Sequence, residues 1–337
     1  MKKLFPIGIV VIVAFIFATM IFYALAPVNK TDSIIYLHVD SDDNVDSIAD
    51  KMSAGCHPYG VWAVRIISRH TGYESHIRTG CYEINNTIGA LMLYRHLRNG
   101  QQVPVRLTIP SVRTTERLAE ELSSKLMMKK DDLMDYFSSN DSCAKYGQDT
   151  ATIVCLFVPN TYEVYWNISP DKFLSKMMKE KEAFWNSERL AKAEALGLSP
   201  DEVVTLASIV EEETANNQEK PMVAGMYYNR LRKPMPLQAD PTIKFALQNF
   251  ELRRIYRNML TVKSPYNTYV NEGLPPGPIR IPSVVGIDAV LNLVHHDYLY
   301  MCAKEDFSGT HNFAVTYSEH LKNAARYSAA LNARGIK

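Results

Sequence analysis

Residues 205–221 read TLASIVEEETANNQEKP, where three consecutive acids, Glu211, Glu212 and Glu213, close an otherwise apolar run. A carboxyl group does acid–base chemistry when its surroundings keep it protonated near neutral pH. The helical phase decides which of the three qualifies. The stretch LSPDE opens a helix, with Ser199 as N-cap, Pro200 at the first position and Glu202 completing a capping box. From that start, Val203, Leu206, Ile209 and Val210 share one face. Glu213 falls near the centre of that face. Glu212 falls with Thr205 and Ser208 on the polar side, and Glu211 with Val204 and Ala207 on a flank. A carboxylate that ends an apolar stripe loses solvation, which favours its neutral form. Glu213 is therefore the candidate general acid, and Glu212→Gln is expected to change little.

The segments that follow read as walls of a cleft. Residues 220–247 begin a helix at Pro221, with an apolar face of Met222, Val223, Met226 and Tyr227. Asn229 and Arg230 lie near its end, and Pro234 and Pro236 break it. LQADPT (237–242) is a turn that displays Gln238, Asp240 and Thr242. SPYNTYVNEGLPPGPIRIPS (264–283) is rigid, polar and extended, a poor core and a good cleft wall. The pair His295-His296 forms no HExxH motif and reads as surface or packing. No metal or cofactor is expected.

The elements that must position these residues come from the rest of the chain. Its 337 residues suffice for more than one domain. Lys+Arg is 37 against Asp+Glu 36, so charge gives no reason to expect nucleic acid as a partner. After Lys2 and Lys3, no charged residue occurs until Lys30. An apolar run of that length reads as a membrane-spanning helix with a cytoplasmic N-terminus. Ala24-Leu25-Ala26 offers the alternative of a cleaved signal peptide. Residues 28–33 read as a short polar linker. Five cysteines, Cys56, Cys81, Cys143, Cys155 and Cys302, are compatible with bridges Cys56–Cys81 and Cys143–Cys155 or with buried free thiols.

SIIYLHV (33–39) predicts a strand, 43–52 and 61–70 two helices, and HIRTGCYEI (76–84) a second strand. That order resembles the LysM peptidoglycan-binding module. Further on, 86–102 predicts a helix, VPVRLTIP (103–110) a strand, and 114–126, 131–139 and 170–197 helices. The fold class expected is α+β, divided as an anchor (1–30), a small βααβ module (31–103) and a mixed catalytic domain (104–337).

Seven segments together resemble the YceG-like family, the membrane-anchored endolytic murein transglycosylases. They are FVPNTY (157–162), I-V-E-x-E-T over Ile209–Thr214, Tyr228-Asn229-Arg230-Leu231, and Leu237-Gln238-x-Asp240-Pro241-Thr242. Tyr266-Asn267-Thr268-Tyr269, the run Gly273 to Ile279, and His311-x-Phe313 complete the set. The resemblance implies cleavage of the bond between N-acetylmuramic acid and N-acetylglucosamine inside peptidoglycan strands, without water, leaving a 1,6-anhydro end. It implies a lysozyme-like cleft, with the family's catalytic glutamate at Glu213. Asn229, Gln238, Tyr266 and Asn267 are candidates for hydrogen bonds to sugar groups or to Glu213. Asp240 and Thr242 are candidates for orienting substrate on the turn, and His311 is a candidate through its motif. The implied partners are glycan strands, synthases at the membrane, and the inner membrane itself, with the catalytic domain outside the cytoplasm. The chain departs from the family at TIPSV after the strand at 105–110, at IRIPS, and at the histidine pair. A lysozyme-like hydrolase using Asp240, or a wall-binding scaffold with an inactive cleft, are the alternatives.

Overall fold

The computed structural model describes residues 4–252 and 254–335, with the side chains of the first helix described from Ile9 onward. The chain divides into two compact units. One holds the residues up to Leu107 with Lys125–Met128 and Tyr162–Ser169, and the other holds Thr108–Ser124, Lys129–Thr161 and the residues from Pro170 onward. The class is mixed α+β, with three small two-stranded sheets among the described residues.

The first unit begins with α1 (Leu4–Leu25), followed by β1 (Ile35–Val39), α2 (Val45–Ser53), α3 (Pro58–His70), β2 (Gly80–Ile84) and α4 (Ala90–Asn99). β1 and β2 pair antiparallel, with Leu37 opposite Tyr82. The expected strand–helix–helix–strand order is present. Its helices form because apolar residues recur at helical spacing, Val45, Ile48, Ala49 and Met52 on α2 being all buried. Asn44 starts α2 by accepting hydrogen bonds from Asp46 N and Ser47 N. Gly100 ends α4 at φ 68°, a left-handed conformation that suits glycine.

Residues 28–33 are not the free linker expected from their polarity. Val28 is fully buried and its N–H donates to Ile88 O, while its carbonyl accepts from His57 N. Asn29 is also buried and donates to Ile84 O. The segment after α1 is thereby threaded into the module's core. On α1, Phe15 is 72 % and Val10 66 % exposed. Among the described residues, no helix is long and apolar enough to cross a membrane. The expected spanning helix is therefore not a finding of the structure.

β3 (Pro104–Thr108) pairs with β4 (Thr161–Tyr165), and all but Thr108 and Thr161 of these strands belongs to the first unit. Between them run α5 (Thr115–Ser123), α6 (Lys130–Phe137) and α7 (Asn140–Ala144). The rest of the second unit comprises α8 (Pro170–Phe184), α9 (Ser187–Leu196), α10 (Pro200–Glu213), α11 (Lys220–Arg232), α12 (Asp240–Ala246), α13 (Val284–Leu291), β5 (Tyr300–Ala303), β6 (His311–Ala314) and α14 (Tyr317–Ala333).

α10 is the centre of this unit. The capping box of Ser199 and Glu202 is formed as its sequence requires. The apolar stripe, however, is only part of the buried surface. Every residue from Val203 to Val210 is buried, because α9, α11, α12 and α13 pack around the helix. The two polar residues of its expected solvent side are satisfied internally. Thr205 Oγ1 donates to Asp201 O at 2.8 Å and Ser208 Oγ to Thr205 O at 2.7 Å, and Ser208 Oγ accepts from Ile279 N.

All five cysteines are free thiols, four of them buried, so neither expected bridge exists. Burial pushes the Cys56 and Cys81 thiols up to about 11, which keeps them protonated and unreactive. Reducing agent is accordingly expected to leave the unfolding midpoint unchanged, checked by urea titration with and without it.

Candidate active site

Three neighbouring glutamates meet three different environments at the end of α10. Glu211 accepts from Lys220 Nζ at 2.8 Å and from Ser283 Oγ at 2.9 Å. Glu212 accepts from Arg113 Nε at 2.7 Å and Nη2 at 2.9 Å, and from Arg280 Nη1 at 2.9 Å. Both have cationic hydrogen-bond partners. Glu212 is thus bound into the fold by two arginines and is not a solvated side chain. Glu213 has no cation bonded to it among the described residues. It is bonded to Tyr227, whose hydroxyl donates to Oε1 at 2.7 Å.

That difference sets the chemistry. Burial pushes the Glu213 carboxyl up to about 7; the Tyr227 hydrogen bond opposes this and the negative charge of Asp240 adds to it. Placement at the helix C-terminus, the negative end of the macrodipole, also disfavours a carboxylate. Tyr227 is held on α11, and its own proton is retained because burial and the adjacent Glu213 both raise its pKa. Tyr227→Phe removes a donor to the charged form. It should therefore move the alkaline limb of a pH–rate profile upward by about half to one pH unit.

Glu213 opens into a polar cavity of about 300 Å³ whose walls include Gln238, Asp240, Tyr269, Tyr300 and Tyr317. Gln238 takes φ 51°, a left-handed conformation costly for a side chain with a Cβ. The turn holds because Gln238 N donates to Thr268 O at 2.9 Å and Ala239 N to Thr268 Oγ1 at 3.0 Å. Asp240 begins α12 and accepts from the Tyr269 hydroxyl at 2.5 Å.

The structure separates the candidate residues. Glu213, Gln238 and Asp240 share the cavity. Thr242 is fully buried, its Oγ1 within 2.7 Å of Ala239 O and 2.8 Å of Thr268 Oγ1, so it fastens the turn from beneath. Asn267 is fully buried too; its amide donates to Leu260 O and Val262 O and its Oδ1 accepts from Tyr269 N, shaping the loop that carries Tyr269. Asn229 donates to His296 O at 2.6 Å and Tyr298 O at 3.0 Å, tying α11 to the loop before β5. Tyr266 packs on Phe245, ring centroids 4.6 Å apart, outside the cavity wall. His311 lies behind the site: Glu219 accepts from its N–H at 2.6 Å and sits 2.9 Å from its Nδ1. Glu219 also accepts from Thr214 Oγ1, so the turn that follows Glu213 is fastened to β6. His296 Nε2 lies 3.0 Å from Met222 O. Among the described residues no group of His, Cys, Asp and Glu could hold a metal ion.

Sequence reasoning missed Tyr227, Arg230 and Tyr269 as parts of the site. Arg230 is buried and donates to Leu299 O at 2.7 Å and Leu237 O at 2.6 Å, joining two walls of the cavity through their backbones. Tyr227 carried a signal of a kind, being a tyrosine on an apolar helix face whose hydroxyl needs a partner.

A carboxyl raised to about 7 that faces a polar cavity has the properties a general acid–base group requires. The YceG-like family profile matches residues 37–326, and the chain belongs to that family. It is 39 % identical over 135 residues to an endolytic murein transglycosylase of Bacillus subtilis, covering 40 % of this chain and 37 % of that protein. It is 25 % identical over 343 residues to an endolytic murein transglycosylase of Streptococcus pneumoniae, covering 90 % of this chain and 60 % of that protein. The chain thus spans less than two thirds of the length of these curated relatives. A crystal structure of a YceG-like protein from Listeria monocytogenes superposes with a TM-score of 0.59 at 24 % identity, over 87 % of this chain and 99 % of that one, which establishes the shared fold.

Proposed function

We propose that this protein is an endolytic lytic transglycosylase that cleaves the bond between N-acetylmuramic acid and N-acetylglucosamine within peptidoglycan strands. The observation that carries this reading is Glu213, raised to about 7 and bonded to a phenol where its two neighbours are bonded to cations. In its acid form Glu213 protonates the glycosidic oxygen and the bond to C1 breaks. As a carboxylate it then takes the proton of the C6 hydroxyl, whose oxygen bonds to C1 and closes the 1,6-anhydro ring. The proton count closes on one residue, so neither a nucleophilic carboxylate nor water is required. Asp240, with one oxygen held by Tyr269, and Gln238 orient the sugar. A hydrolase is the second reading, since Asp240 lies in the same cavity.

The remaining assignments extend this reading. The βααβ module binds or positions glycan in the manner of LysM modules. Residues 1–30 anchor the chain in the inner membrane with the catalytic domain outside the cytoplasm, and synthases at the membrane supply nascent strands. The anchor reading is supported by the exposed apolar side chains of α1 between Ile9 and Leu25 and by an apolar cleft of about 410 Å³ between α1 and Trp62 and Ile66 of α3. The test is digestion of purified peptidoglycan by the full chain, with products weighed by mass spectrometry. Anhydro ends support the proposal. Reducing ends, heavier by one water, transfer the role of second catalyst to Asp240. Absence of cleavage with retained glycan binding supports a scaffold.

A further inference from the structure

Resting on the glycan reading above, we propose that Tyr300, Tyr317 and His320 form a stacking platform for one pyranose ring of the substrate. The three rings line the cavity that holds Glu213. They form a mutual cluster: Tyr300 and His320 lie 5.5 Å apart at 27°, Tyr317 and His320 6.0 Å apart at 30°, and Tyr300 and Tyr317 5.7 Å apart. The Arg230 guanidinium sits 5.4 Å from the Tyr300 ring centroid. Tyr317 stays 59 % exposed although it is the first residue of α14, where no apolar packing requires an aromatic side chain.

The chemistry of the ligand follows from the two kinds of surface in one cavity. A pyranose has an apolar face of C–H groups and a polar rim of hydroxyl and acetamido groups. The tyrosine–histidine cluster, with Tyr300 and Tyr317 tilted by 54°, offers amphipathic ring surface for the face, and Gln238 and Asp240 offer hydrogen bonds for the rim. His320 Nδ1 is buried and has no hydrogen-bond partner among the described residues, so this nitrogen does not reach the rim of the sugar. The platform would hold a sugar beside the one whose bond is cleaved. It would act on affinity and leave the proton transfers at Glu213 untouched.

The test uses the full chain carrying Glu213→Gln, so that bound glycan is not consumed, with soluble peptide-free peptidoglycan strands as the probe. Adding Tyr317→Ala should weaken binding about tenfold, the change that about 1.4 kcal/mol produces. Tyr317→Phe should stay within about twofold of the parent, since it keeps the ring. In the otherwise unaltered enzyme, Tyr317→Ala should raise KM and leave kcat and the pH profile in place. Unchanged affinity in Tyr317→Ala overturns the platform, and so does a Tyr317→Phe variant as weak as the alanine. If the Glu213→Gln parent binds no glycan and the unaltered enzyme cleaves none, the glycan reading itself fails, and the platform with it.

Discussion

Glu213→Gln is expected to abolish strand cleavage, with a loss of roughly 10²- to 10⁴-fold or more, the range a positioned acid–base group contributes. In the proposed mechanism both chemical steps pass through this carboxyl, and glutamine can neither give nor take the proton. The same substitution should stabilise the fold. The carboxyl of Glu213 is raised from 4.5 to about 7 in the folded chain. The unfolded chain therefore releases this proton first, and folded stability falls as pH rises between those values. Glutamine removes that loss and keeps the Tyr227 hydrogen bond. Because the carboxyl faces an open cavity, the gain above pH 7 should be about 1–2 kcal/mol. Urea unfolding at pH 5 and pH 8 checks it: the two proteins should match more closely at pH 5 and separate at pH 8. A variant that is inactive and less stable at every pH would mean that Glu213 is a structural residue.

Lys220→Met should be the most damaging single change to stability outside the core. Lys220 begins α11, and its side chain is only 4 % exposed where it meets Glu211, itself 15 % exposed. Removing the cation leaves a buried carboxylate with Ser283 as its remaining partner. Breaking one side of such a pair costs about 3–5 kcal/mol. Adding Glu211→Gln should recover much of the loss, since no buried charge is then stranded. Equilibrium unfolding of the two single variants and the double variant gives the coupling. A loss under about 1 kcal/mol for Lys220→Met would mean that the pair is solvated.

How much of this was legible in the sequence depended on how local the determinant was. The start of α10 was readable because Ser199, Pro200 and Glu202 act on their own helix. Glu213 was readable from the phase which that start sets. The environments of Glu211 and Glu212 were not, because Lys220, Ser283, Arg113 and Arg280 reach them from other elements. The same limit explains Thr242, Asn267 and Asn229. Their hydrogen-bonding groups suggested sugar contacts, but each is turned onto backbone groups of a neighbouring loop. The polar character of residues 28–33 suggested a linker, yet burial of Val28 and Asn29 follows from pairing with residues more than fifty positions away in Ile84 and Ile88. The family resemblance pointed to Glu213 and to the turn of Gln238 and Asp240 without a physical reason for either. The physical reason lies in the contrast between one phenol and several cations.

The most direct test of that reason is the ionisation of Glu213 itself, followed by carbon NMR of its side-chain carboxyl as the difference between the unaltered chain and Glu213→Gln. A midpoint near 7 is the expected result. A midpoint near 4.5 would leave the carboxyl ionised at neutral pH, unable to donate the first proton, and would contradict the account.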